Sequence, residues 1–215
     1  MAPREVFEKE LKELQSQIEG MGRMVLATYR DLYAAIPVKD IETIDNIIKN
    51  EKCFYDMKKK IESQCLKVIT KQQPVATDLR MISAVLKIVS DIERVGDHAV
   101  DIGELVLRNN MREFKNYSVH LDGMTAAANE LFENAIKAFV HSDTKASGQI
   151  INDDDIVDNL FNKVKYDIIN GLKEEHDKED EYIDMLIVAK YLEKIGDHAV
   201  NIAKWQIFRT EGEMV

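Results

Sequence analysis

Two stretches of this sequence carry the same chemically distinctive residues in the same order. Residues 92–102 read IERVGDHAVDI and residues 192–202 read LEKIGDHAVNI, so glutamate, glycine, aspartate and histidine recur one hundred positions apart. In each stretch the glutamate and aspartate are four residues apart, which places both side chains on one face of a helix. Like charges at that spacing repel each other. The repeated acids therefore predict a group that compensates their charge.

A second set of acids is expected to face the first across a helical hairpin. If the segments on either side of residues 175–176 run antiparallel, Asp154 lies level with Asp197, and Asp158 lies level with Glu193. Four carboxylates that converge on one groove are difficult to stabilise without a metal ion. Oxygen ligands without cysteine favour hard or borderline cations such as magnesium, manganese, calcium or iron.

The first half of the chain has the same plan with one acid missing. If this half folds as a hairpin that turns at Pro74, Glu51 lies level with Asp97, but Tyr55 lies level with Glu93. A tyrosine thus takes the place that Asp158 has in the second half. The second site is therefore predicted to hold metal more tightly than the first.

The glycine and histidine of the repeated motif have structural interpretations as well. Gly96 and Gly196 each cost about 1 kcal/mol relative to alanine in mid-helix, which predicts close approach of a neighbouring backbone or bound group. Helix packing alone is the alternative. His98 and His198 lie about 100° around the helix from the preceding aspartates, so we expect them to flank the ligands and not to bind metal.

The duplication extends beyond the motif and predicts the fold. A shift of 103 aligns residues 38–56 with residues 141–159. Few glycines and prolines, with apolar residues at steps of three and four, favour long helices. We expect an all-α fold of two tandem three-helix bundles, 1–114 and 115–215. The six helices are predicted at about 5–36, 40–71, 77–110, 117–141, 144–173 and 181–209.

Charge and hydropathy exclude several classes of protein. The net charge of −10 opposes binding to a nucleic-acid backbone. No run of 18 apolar residues and no apolar signal segment occurs, so we expect a soluble, cytoplasmic protein without a transmembrane segment.

The motifs ERVGDHAVDI and EKIGDHAVNI, together with KQQPVATDLRMI at 71–82, resemble the PhoU family of phosphate-uptake regulators. The resemblance runs through almost the whole chain as two repeats. It implies tandem three-helix bundles, often dimeric, that act without catalysis as cytoplasmic negative regulators of the phosphate-starvation response. The implied partners are the ATPase subunit of the phosphate ABC transporter and the sensor histidine kinase of the phosphate two-component system.

The resemblance also implies metal clusters, as multinuclear centres of iron, manganese or magnesium, on paired E/D-x-x-x-D motifs. Asn201 stands where the first repeat has an acid. By position, the implied ligands are Glu51, Glu93, Asp97 and Asp101 in the first repeat and Asp154, Asp158, Glu193 and Asp197 in the second.

Two other functions compete with a non-catalytic regulator. One is a carboxylate-bridged metalloenzyme, since clustered acids around a metal also activate water. A ferritin-like oxidase is disfavoured because none of the five histidines has a glutamate three positions before it. A metal-dependent phosphohydrolase is the main alternative. The other is a structural bundle that binds no metal.

Overall fold

The computed structural model describes residues 3–72 and 74–214. This part of the chain contains seven α-helices and one short 3-10 helix, and it has no strand. The α-helices are α1 (Pro3–Val38), α2 (Ile41–Lys49), α3 (Lys52–Gln72), α4 (Ala76–Arg108), α5 (Leu121–His141), α6 (Thr144–Glu174) and α7 (Glu179–Glu211); the 3-10 helix is Phe114–Asn116.

The all-α fold of two three-helix repeats is confirmed. In the first repeat α1 packs against α3 and α4, and in the second α5 packs against α6 and α7. The helix expected over 40–71 is broken, because α2 ends at Lys49 and α3 begins at Lys52. At the break, the Asn50 side-chain amide donates to the carbonyl of Asn46 at 2.7 Å. An asparagine that satisfies helix carbonyls in this way competes with continuation of the helix.

The third helix of each repeat forms the centre of its bundle. The apolar positions of α4 and α7 at steps of three and four are buried, which confirms the predicted seam. They are Ile88, Ile92, Val95, Ala99, Ile102 and Val106 in α4, and Val188, Leu192, Ile195, Ala199 and Ile202 in α7. The acids of the repeated motif lie outside this seam, although Glu93 is itself buried.

Helices α4 and α7 also join the two repeats. The ring of His98 lies 4.9 Å from the ring of Tyr191 between centroids, and Nδ1 of His198 lies 2.8 Å from Oδ1 of Asp91. A shift of one hundred positions turns the first pair into the second. The two helices therefore cross antiparallel, and the repeats face each other across an approximate two-fold axis.

An ion pair fixes one end of this crossing. The Arg108 guanidinium donates from Nε to Asp184 at 2.9 Å and makes a second contact to the other carboxylate oxygen. Asp184 is buried, and such a carboxylate needs a charged partner. Beside it, the Asn109 amide donates to the carbonyl of Glu181 at 3.2 Å.

No helix in the described part of the chain is long and apolar enough to cross a lipid bilayer.

Two glycine substitutions are expected to change stability in opposite directions. A β-carbon at Gly20 in α1 meets nothing within 4 Å, whereas one at Gly96 in α4 stands 2.7 Å from the Phe54 ring. Gly20→Ala should raise stability by about 1 kcal/mol, or about 2–4 °C in Tm. Gly96→Ala should lower it, because overpacking costs about 1–3 kcal/mol. Thermal melting followed by circular dichroism measures both, and stabilisation by both would contradict the packing of Phe54.

Candidate functional site

The second repeat brings a carboxylate of α6 directly against the motif glycine of α7. A β-carbon at Gly196 would stand 2.6 Å from Oδ1 of Asp154. Only glycine leaves room for the carboxylate in this position. The close approach expected at this glycine is therefore that of an acidic side chain from the neighbouring helix.

The four acids predicted as ligands in this repeat are close enough to influence one another. Burial, followed by the negative charges of Asp158, Asp197 and Glu193, raises the pKa of Asp154 to about 6. Asp154 and Asp158 come from α6, and Glu193 and Asp197 come from α7. The α6–α7 hairpin thus brings these four carboxylates near one another, and we call them the acid cluster of the second repeat.

Lysines of α7 offset part of this charge. Nζ of Lys190 lies 2.6 Å from Glu193, and Lys194 contacts both Glu193 and Asp197. The two lysine side chains are 48% and 41% exposed. Ion pairs of this kind, from half-exposed lysines to acids on the same helix, contribute little to stability and leave the lysines free to turn away.

The corresponding region of the first repeat is built differently. The ring of Phe54 lies against Gly96, so helix packing accounts for this glycine. Nζ of Lys58 lies 2.5 Å from Oε2 of Glu93. Burial, and then the charge of Glu93, raises the pKa of Asp97, with a further contribution from Glu51. Three of the predicted acids therefore meet here.

Asp101, the fourth acid predicted for the first repeat, faces the interface between the repeats. Its carboxylate lies 3.4 Å from Nδ1 of His98. Burial and then the Asp101 charge raise the pKa of Tyr191, which packs on the same histidine. Metal binding by Asp101 stays a prediction.

The equivalent position in the second repeat explains the loss of an acid there. The Asn201 amide donates to Asp91 at 3.3 Å, and the same Asp91 oxygen contacts His198. An aspartate at 201 would repel Asp91, whereas asparagine supplies a donor.

The centroids of the two motif histidines are 5.8 Å apart, so these histidines pack at the two-fold axis. Sequence reasoning missed this contact, although recurrence of the same histidine in both repeats was the available signal.

The model of the PhoU domain matches residues 18–106 and 121–206, which covers most of the chain as two copies. The chain belongs to the PhoU family. A relative from Clostridium acetobutylicum is 33% identical over 99% of this chain and 97% of its own length. A relative from Burkholderia sp. is 31% identical over 96% and 89%. Both are named as phosphate-specific transport system accessory protein PhoU homologs.

A solved structure supports the same conclusion. The phosphate transport system regulatory protein PhoU from Streptococcus pneumoniae superposes with a TM-score of 0.89 at 25% identity. The match covers 97% of this chain and 99% of the other. The two-repeat helical architecture is therefore shared with a member of the PhoU family over nearly its full length.

The two repeats of this PhoU-family chain differ in how well they fit a metal. As the side chains are placed, no three or more histidine, cysteine, aspartate or glutamate residues in 3–72 and 74–214 form a group that could hold a metal ion. The second repeat nevertheless has an oxygen donor set suited to a hard cation and a glycine that admits Asp154. In the first repeat, Lys58 already contacts Glu93. The eight-residue ligand set stays a prediction.

A separate cluster holds the residue types of a hydrolase triad without the geometry of one. The Ser118 hydroxyl donates to Oδ2 of Asp167 at 2.6 Å, and Nδ1 of His120 lies 2.9 Å from the same oxygen. A nucleophilic serine would instead donate to the histidine. Ser118 also accepts the backbone N–H of His120 at 3.1 Å. These contacts hold the connection before α5, which begins at Leu121 and not at the predicted residue 117.

Metal-free protein is expected to gain stability at neutral pH when Asp154 is replaced by asparagine. The pKa of Asp154 is raised from 3.8 to about 6 in the folded chain. Between these values the folded state binds more protons than the unfolded state, so stability falls as pH rises. Asp154→Asn should therefore raise Tm above about pH 6 and have little effect near pH 4. Thermal melting of both proteins in the presence of a chelator, across this pH range, tests the prediction. A difference in Tm between variant and wild type that does not change with pH would contradict it.

Proposed function

We propose that this chain is a cytoplasmic, metal-binding negative regulator of phosphate uptake and of the phosphate-starvation response. It acts by contact with other proteins and not by catalysis. Its partners are the ATPase subunit of the phosphate ABC transporter and the sensor histidine kinase of the phosphate two-component system. Membership of the PhoU family and the accessory and regulatory roles in the names of relatives support the proposal.

The observation that carries the proposal is an apolar groove between α6 and α7. The groove has a volume of about 540 Å³. It is lined by Phe161, Lys165, Leu186, Ile187, Lys190 and Tyr191. Ile187 is exposed, as is Ile183 one turn before it in α7. Apolar surface of this kind on a soluble helical bundle is typical of a binding site for another protein.

The first repeat shows that the fold does not require this groove. The repeat alignments place Lys58 at the position of Phe161, Glu62 at that of Lys165, and Lys87 at that of Ile187. The first repeat therefore forms a similar helical hairpin with lysines at two positions, 58 and 87, where the second repeat has apolar residues. The apolar residues of the second repeat are better explained by a partner than by folding.

The charges at the edge of the groove indicate the chemistry of the partner. Lys165 and Lys190 flank its apolar floor in a chain whose net charge is −10. Among the described residues, Lys165 forms no ion pair. A helix that carries apolar anchors at one face and carboxylates beside them would match this surface.

Lys190 connects the groove with the acid cluster. Its Nζ lies 5.4 Å from the centroid of Phe161 in the groove and 2.6 Å from Glu193 in the cluster. A hard cation, when bound, supplies the positive charge that the four carboxylates need. With Glu193 engaged as a ligand, Lys190 faces the groove and its partner. Metal occupancy and partner binding are thereby linked through one side chain.

A homodimer is part of the proposal, because two bundles in tandem present long side faces that can pair symmetrically. The mass from light scattering, compared with 24.7 kDa for one chain, tests it.

Affinity capture from phosphate-replete cells tests the proposed function directly. Bound proteins and metal content are measured in the same sample. Recovery of the transporter ATPase or the sensor kinase supports the regulator. The phosphohydrolase alternative would replace it if neither partner were recovered and the purified protein hydrolysed phosphoesters in a manner that depends on Asp197.

A further inference from the structure

A lysine of the first repeat stands inside the acid cluster where the family resemblance implies a metal. Lys58 projects from α3, and its Nζ lies 2.5 Å from Oε2 of Glu93 on α4. The Lys58 side chain is 20% exposed and that of Glu93 is 9% exposed. The ammonium group is therefore held between two helices, largely out of water, against one of the predicted ligands.

Three differences between the repeats fall on this one face of α3. Phe54, Tyr55 and Lys58 align with Val157, Asp158 and Phe161 of α6. Phe54 covers Gly96, where the second repeat has a carboxylate beside the glycine. Tyr55 supplies no carboxylate, and its ring centroid lies 5.8 Å from Nζ of Lys58. The change at Tyr55 removes an acid and the change at Lys58 adds a positive charge, while Phe54 fills the space beside the glycine.

The lysines of the second repeat do not play the same part. Lys190 and Lys194 belong to the helix that carries their acids, and they are about half exposed. They can leave the carboxylates and remain in water. Lys58 crosses from the neighbouring helix, so displacing it would leave a largely buried ammonium group and require its movement.

We propose that Lys58 is a built-in counter-ion that closes the first-repeat acid cluster to metal, so that the second repeat alone binds it. The inference rests on the metal binding in the proposed function. Lys58 neutralises Glu93, and Tyr55 stands where the second repeat has a further carboxylate, so the first repeat offers fewer free carboxylates to a metal. The second repeat thus forms a metal site, and in the first repeat Lys58 takes the place of the metal as the positive charge beside the acids.

Counting bound manganese tests the inference. Purified protein is equilibrated with Mn²⁺, and the metal per chain is measured with its fold checked by circular dichroism. Asp197→Ala should remove nearly all bound manganese from the wild type. Tyr55→Asp combined with Lys58→Phe gives the first repeat the residues that the second repeat has at these two positions, and it should about double the manganese per chain. Lys60→Phe, an exposed lysine two positions on, should change nothing.

Each outcome separates this inference from metal binding in general. A wild type that retains half its manganese in Asp197→Ala and loses that half in Asp97→Ala would overturn the inference, since the first repeat would then bind metal. A wild type without manganese, with a gain in the double variant, would support the role of Lys58 and contradict the metal in the proposed function. If the double variant does not fold, it is replaced by Tyr55→Asp with Lys58→Gln, which keeps a hydrogen-bond donor for Glu93. A folded variant that gains no manganese overturns the inference.

Discussion

Cells that lack this chain are expected to express phosphate-uptake genes at starvation level in phosphate-rich medium. A negative regulator restrains the signal only while it is present, so its loss should remove the response to phosphate. A reporter for phosphate-uptake genes, read in phosphate-rich and phosphate-poor medium, measures the effect. Output that remained low in the deletion strain would contradict the proposed function.

Complementation of that strain tests whether the apolar groove between α6 and α7 binds the partner. Wild-type chain should restore repression, whereas Ile187→Glu should not, because a carboxylate in the groove removes an apolar contact and repels an acidic partner. Ile156→Glu is the matched control. Ile156 is 53% exposed on α6, about 140–180° around the helix from Phe161 and Lys165. Equal repression by both variants would show that the partner binds elsewhere.

The fold was predictable because its determinants are local and occur twice. Apolar residues at steps of three and four specify the seams of α4 and α7, and the shift between aligned segments specifies two similar repeats. The break at Asn50 was missed because it depends on one side-chain hydrogen bond to Asn46 and not on the apolar pattern. Such a bond is too weak a signal to distinguish a kink from a continuous helix.

The contacts between the repeats could not be predicted from the same patterns. His98 lies against Tyr191, and His198 against Asp91, only because α4 and α7 cross at one particular level. The periodicity of each helix says which face is apolar, but it does not say which residues of a distant helix meet that face. The recurrence of histidine indicated importance without indicating a partner.

The two motif glycines show how one sequence feature arises from two physical causes. Gly196 admits the Asp154 carboxylate, and Gly96 admits the Phe54 ring. A neighbouring group does approach both glycines closely, but it is a side chain at each and not the backbone or bound group that was predicted, so the alternative of helix packing holds at Gly96. The alignment of Lys58 with Phe161 held the distinguishing information, because a cation on that face of α3 changes the charge of the cluster.

Metal-dependent melting should expose the difference between the repeats as a large loss in one variant. Metal at 100 times its dissociation constant adds about 2.7 kcal/mol to the stability of the folded state. For a chain of this length, that corresponds to roughly 5–11 °C in Tm. Asp197→Ala should lose most of this increase on addition of Mn²⁺, and Asp97→Ala should retain most of it. Without metal, both should be slightly more stable than wild type, because each removes a charge from a group of like charges.

Glu130→Ala is the control for loss of a carboxylate, since Glu130 is exposed on α5, away from both acid clusters. It should keep the full increase in Tm with manganese. Equal losses in Asp197→Ala and Asp97→Ala would mean that the two repeats bind metal alike, despite Tyr55 and Lys58. An undiminished response when both aspartates are replaced would remove these residues from the ligand set, because bound metal would then be stabilising the chain from another site.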